Sequence, residues 1–95
     1  MTIEHVTSAG ANIFDELGLP GAENLKLRAQ LMMEVRRYVE ESSLTQAAAA
    51  RAMKTTQPRL NEVLKGKIGK CSIDRLVQML AEVGRHVSIK VSKAA

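Results

Sequence analysis

Ninety-five residues suffice for one compact domain with a modest core and are too few for two independent ones. Apolar residues make up 45% of the chain, yet Phe and Tyr occur once each and Trp never, so the core has to be built from Leu, Ile, Val, Met and Ala, a palette that favours packed helices. The net charge of +4 is unevenly spread: residues 1–50 carry four Lys or Arg against seven Asp or Glu, and residues 51–95 carry ten against three. Such a basic back half is either an unevenly charged solvated surface or a face for a polyanion, where each neutralised phosphate releases counterions.

A single cysteine, Cys71, excludes an internal disulfide, and the opening residues do not read as a secretory signal, so a cytoplasmic protein is expected. The apolar runs are far shorter than the roughly 18–20 residues of a membrane span, so no membrane partner is expected.

In chain order, residues 1–12 (MTIEHVTSAGAN) show no sustained apolar period and read as a flexible tail; residues 13–95 read as one domain. Ile13 to Gly21 is a short apolar patch closed by turn residues. From Ala22 to Glu41, Leu27, Leu31, Val35 and Tyr38 or Val39 recur at three- and four-residue steps and predict an amphipathic helix. Ser42-Ser43 interrupts it. Thr45 then offers an N-cap for an alanine-rich helix over Gln46 to Met53, and Thr56 one for a third helix, with Pro58 in its first turn, running to about Lys65 and stopping at Gly66.

Lys65 to Lys70 is a basic, glycine-punctuated loop. Ser72 caps a fourth helix with an apolar stripe of Ile73, Leu76, Val77, Leu80 and Val83, ended by Gly84. Val87, Ile89 and Val91 alternate with polar residues at the period of a half-buried strand. A lone strand in an otherwise helical chain has no partner inside the molecule, which points to pairing with the same strand of a second subunit in a homodimer. The expected fold is therefore all-α, four to five helices with a C-terminal dimerisation strand.

Two short helices with a three- or four-residue joint, the first nearly all alanine and the second opening with polar residues, fit a helix-turn-helix. Ala49 and Ala50 leave room at the crossing for Leu60 and Val63, and Met53, Leu60, Val63 and Leu64 form the expected buried side. That leaves Gln57, Arg59, Asn61 and Glu62 as the polar side. Arg matches guanine bidentately and Gln or Asn matches adenine in the major groove; the competing reading is a merely solvated face.

The stretch Leu44 to Lys67 (LTQAAAARAMKTTQPRLNEVLKGK) resembles the phage-repressor-like (Xre, or Cro/CI-type) helix-turn-helix family. Its Leu-Thr-Gln opening, Thr-Gln-Pro-Arg start and Leu-Lys-Gly-Lys exit are similar to the HigA-type antitoxin branch. Phe14 to Pro20 (FDELGLP) resembles the segment before the first helix of that branch, and Ser72 to Val91 its last helix and closing strand. The resemblance implies a sequence-specific regulator of double-stranded DNA, an autorepressing antitoxin of a type II toxin–antitoxin operon, with an inverted-repeat operator. A stand-alone repressor, or a helical interaction module that only borrows the fold, are the competing readings.

Residue roles follow from the resemblance. Gln46, Thr56, Lys65, Lys67, Lys70 and Ser72 would hold phosphates. Gln57, Arg59 and Asn61 would read bases, with Glu62 accepting from cytosine or tuning Arg59. Phe14, Leu17 and Leu19 would either dock on a toxin or cover the first helix. Lys54 stands where the family usually has glycine, because the backbone there is left-handed, at a cost of roughly 1–2 kcal/mol for a side chain.

No enzyme, metal or cofactor is expected. His5, His86 and Cys71 lie far apart, and no motif flanks a nucleophile. Cys71 reads as a small buried or semi-buried residue before the helix cap, His86 as a polar residue between helix and strand, and Met32, Met33, Met53 and Met79 as core filler.

Overall fold

The computed structural model describes residues 2–7 and 21–93, in the order β1 (Thr2–Thr7), α1 (Gly21–Ser42), α2 (Gln46–Ala52), α3 (Gln57–Leu64), α4 (Ile73–Glu82) and β2 (Ser88–Lys93). A 3-10 turn, Ile68–Lys70, lies within the basic loop.

The core follows from the apolar periods. Along α1, Leu27, Leu31 and Val35 have no exposed surface, and Tyr38 and Val39 pack at its edge. They meet Leu76, Met79 and Leu80 of α4, and Ala49, Ala50, Met53, Leu60 and Val63 of the two short helices, in one cluster. Each fully buried Leu contributes about 1.5–3 kcal/mol of transfer free energy. Met32, Met53 and Met79 are core residues as expected, but Met33 is 62% exposed. Helical geometry gives the reason: at about 100° per residue, Met33 is turned off the line of Leu27, Leu31 and Val35 that its neighbour Met32 adjoins.

Helix ends are set by local chemistry. The Thr45, Thr56 and Ser72 hydroxyls accept from the N–H groups of Ala48, Arg59 and Arg75 at 3.1, 3.3 and 3.2 Å, so α2, α3 and α4 each begin on a side-chain cap. Each also closes by the same pair of backbone bonds. Thr55, Lys67 and Arg85 donate to the carbonyls of Ala50, Glu62 and Leu80, while Lys54, Gly66 and Gly84 donate to those of Arg51, Val63 and Ala81. That closure needs a left-handed residue, and Lys54 (φ 54°), Gly66 (φ 76°) and Gly84 (φ 78°) supply it; Ser43 (φ 58°) is also left-handed, but after α1 the Leu44 N–H donates to the Ser42 hydroxyl.

The N-terminal segment departs from the sequence expectation. Instead of a tail throughout residues 1–12, Thr2–Thr7 form a strand that pairs in parallel with β2, setting Ile3 opposite Ile89 and Glu4 opposite Lys90. The expectation that β2 lacks a partner within the molecule is thereby corrected. The segment TIEHVT does not alternate apolar and polar residues, yet four of its six are β-branched, a composition that suits a strand once a partner is present. The Phe14, Leu17 and Leu19 patch lies outside the described residues.

Candidate nucleic-acid interface

The segment from Thr45 to Gly66 is folded as two short helices joined by a tight turn, Ala49 and Ala50 buried against Leu60 and Val63. Buried alanines at the contact let the α2 and α3 backbones approach closely, which fixes α3 as a short, rigid projection. Lys54 occupies the left-handed position of the turn, as anticipated for a site where glycine is usual.

On α3, Leu60 and Val63 point into the core and Leu64 is half-buried. At about 100° per residue the remaining positions divide into three lines. Pro58 and Lys65, both exposed, lie on the outermost line. Gln57, exposed, and Asn61, half-buried, fall on one flank. Arg59, exposed, and Glu62, half-buried, fall toward the other. The predicted polar side is thus outward-facing but split across two edges of the helix.

The Arg59 edge continues into a cleft of about 260 Å³ lined by Arg59, Glu62, Lys70, Cys71 and Arg75. Arg75 is a residue the sequence reading missed. It sits in the first turn of α4, three positions past the Ser72 cap, and that spacing was the available signal. Lys65, Lys67 and Lys70 are exposed along the connector after α3, and the exposed Ser72 ends it. Gln46, exposed, opens α2, and Thr56, exposed, has its hydroxyl committed to the cap of α3. The result is a row of cations (Arg59, Lys65, Lys67, Lys70, Arg75) around one projecting helix. The shape and sign suit the sugar–phosphate backbone on either side of a groove.

The connector is held from beneath by hydrogen bonds. Of the last four α3 carbonyls, those of Asn61, Glu62 and Val63 are closed by the N–H groups of Lys65, Lys67 and Gly66; the fourth, Leu64, accepts from the Arg36 guanidinium of α1. Farther along, Arg28 donates to the Ile68 carbonyl at 3.2 Å while its Nε donates to the buried Asn24 Oδ1 at 2.6 Å. Cys71 is buried and its thiol donates to the Lys67 carbonyl at 3.4 Å. Burial, then the nearby Glu62 carboxylate, push its pKa above the ordinary 9.0 against smaller opposing effects of Arg28 and Arg75.

Among the described residues, no group of three or more His, Cys, Asp or Glu is placed to hold a metal ion, and no helix is long and apolar enough to cross a membrane.

A helix-turn-helix with an outward polar α3 and a flanking row of cations defines a class, the helix-turn-helix DNA-binding regulators, which are typically non-enzymatic. Residues 13–92 match the family model described as a helix-turn-helix domain, and the chain belongs to that family. Strand β1 lies ahead of the matched range. No curated protein matches the chain.

Proposed function

We propose that the chain is a sequence-specific transcriptional repressor that reads the major groove with α3. The observation that carries this is the exposure of Gln57 and Arg59 on the outer sides of α3, with Leu60 and Val63 buried behind them. Gln57 and Asn61 read bases from one edge, Arg59 and Glu62 from the other. Lys65, Lys67, Lys70 and Arg75 hold phosphates, together with the Gln46 amide and the Ser72 end of α4. Thr56 acts on DNA mainly by fixing where α3 starts.

The repressor acts in the cytoplasm as a homodimer on an inverted repeat. Strand β2 carries β1 on one edge, and the backbone of its second edge, beside the exposed Val91, is the surface for a second copy, while Val87 and Ile89 pack against the core. Twofold symmetry would set two α3 helices roughly 34 Å apart, one helical turn of DNA. Selection of bound duplexes from a random pool tests both points. Symmetric half-sites at that spacing are expected; recovery of no preferred sequence overturns the repressor reading, and a single unrepeated site overturns the dimer.

The resemblance of Leu44 to Lys67 and of Phe14 to Pro20 to antitoxins supports a finer role, an autorepressing antitoxin whose Phe14, Leu17 and Leu19 dock on a toxin. Removing residues 1–20 would also delete β1, so the sharper test replaces Phe14, Leu17 and Leu19 by Ala and measures co-purification with the product of the neighbouring reading frame. Loss of a toxic partner supports the role. Absence of any such partner for the intact chain leaves a stand-alone repressor.

A further inference from the structure

We propose that Arg36 and Arg28 of α1 are positioning residues for DNA binding, two guanidinium clamps that fix the end of α3 and the lysine-bearing connector without themselves touching DNA. The inference rests on the DNA-binding reading above and goes beyond it by assigning the site's rigidity to a helix outside the helix-turn-helix.

A helix leaves its last four carbonyls without partners inside the helix. In α3 the closing backbone bonds satisfy three of them, and the Leu64 carbonyl receives the Arg36 guanidinium instead. A cation at a helix C-terminus is also favoured by the helix dipole. Four residues farther on, the Ile68 carbonyl accepts both the Cys71 N–H at 3.2 Å and Arg28 Nη1 at 3.2 Å. Arg28 is oriented by Asn24, which is only 6% exposed and therefore a fixed anchor.

Between these two anchored carbonyls lie Lys65, Gly66 and Lys67. The left-handed Gly66 leaves this segment easy to re-bend, since glycine takes either sign of φ at little cost. Two charge-assisted bonds from one rigid helix remove that freedom and hold Lys65 and Lys67 in register with Arg59. Arg36 and Arg28 are each suited to this by the planar guanidinium, which a lysine ammonium does not reproduce.

The test uses the full chain with Arg36→Met and Arg28→Met, which keep the aliphatic stem and lose the donors, and Arg36→Lys. Dissociation constants are measured on the selected duplex across a salt series, alone and combined with Lys67→Ala. The Met variants are expected to weaken binding about tenfold, the scale of one charge-assisted bond, and to lower the salt slope no further when combined with Lys67→Ala than Lys67→Ala does alone. Lys67→Ala should then cost markedly less in the Arg36→Met background than in the wild type, because the connector is already out of register.

A slope lowered by about one more when Arg36→Met is added to Lys67→Ala would mean that Arg36 contacts a phosphate directly, and unchanged affinity of Arg36→Met would mean that it positions nothing; either overturns the proposal. Amide hydrogen exchange gives a readout independent of DNA. Faster exchange at Gly66, Lys67 and Ile68 in the Met variants, with α4 unchanged, is expected. Unchanged exchange there overturns the clamp even if the wild type selects no duplex, an outcome that would sink the DNA reading instead.

Discussion

Lys54 Nζ lies 3.3 Å from Glu82 Oε2, so the residue held left-handed in the turn between α2 and α3 is also tied to the last turn of α4. Two opposing effects meet in this side chain. Left-handed backbone costs a non-glycine residue roughly 1–2 kcal/mol, and a surface ion pair returns about 0.2–1 kcal/mol. Lys54→Gly relieves the first and loses the second, while adding about 0.5–1 kcal/mol of chain entropy to fix. The three nearly cancel, leaving the unfolding midpoint within about 4 °C of the wild type. Lys54→Ala keeps the strain, loses the pair and lowers the midpoint. Thermal unfolding at low and high salt separates the terms: Lys54→Gly should gain on the wild type as salt screens the pair.

Ala49 is fully buried where α2 meets α3. Ala49→Leu forces extra methylenes into that contact and should cost about 1–3 kcal/mol in urea unfolding. Ala47, exposed on the same helix, serves as the control; Ala47→Leu should stay within about 0.5 kcal/mol of the wild type. Equal losses at the two positions would contradict the close α2–α3 approach.

Arg59 and Lys67 carry different duties in the proposed complex, and binding assays can separate them. Arg59→Ala should lose about 1–3 kcal/mol on the preferred duplex and relax discrimination at one base pair. Lys67→Ala should weaken all duplexes alike and reduce the salt slope by about one. Were both variants to bind every duplex as the wild type does, α3 would not be the reading element.

Burial pushes the Cys71 thiol pKa up, and this has a defined pH signature. Below 9.0 the thiol is protonated in folded and unfolded chains alike. Above it the unfolded chain gives up the proton first, binds fewer protons than the folded chain, and so gains relative stability. Folding stability should therefore fall as pH rises through and beyond 9.0, more steeply in the wild type than in Cys71→Ala. Denaturant unfolding at pH 8 and pH 10 measures the difference. Alkylation of the native thiol at pH 8 should also be slow, becoming fast on unfolding.

Local chemistry made most of this molecule legible in its sequence. The spacing of Leu27, Leu31 and Val35 marked the buried line of α1, and Thr45, Thr56 and Ser72 marked three helix starts because a cap needs only the next turn to act. Gly66 and Gly84 marked two of the ends, and Lys54 took the left-handed position despite its side chain. The outward side of α3 was readable for the same reason, though not its division into two edges, which depends on where Leu60 and Val63 settle in the core.

What escaped was non-local. Strand β1 has neither a clean alternation nor a nearby partner, and its pairing with β2 joins opposite ends of the chain. Arg36 and Arg28 reach backbone carbonyls 28 and 40 positions away, contacts for which no periodicity exists. Arg75 joins Arg59 and Lys70 only because α4, packed on α1, brings its first turn to the cleft that α3 borders. Met33 looked like its neighbour Met32 until a single helical step separated them.

The parallel union of β1 with β2 also orders events during synthesis. The first strand leaves the ribosome long before the segment it needs exists, while α1 through α4 can already gather around Leu31 and Leu76 by mostly short-range contacts. Closing the sheet is then a late stitch across nearly the whole polypeptide, with a loop-closure cost that the preassembled helices have largely met. A released chain truncated before Ser88 would hold α1 to α4 and leave its first strand looking for any other edge to join.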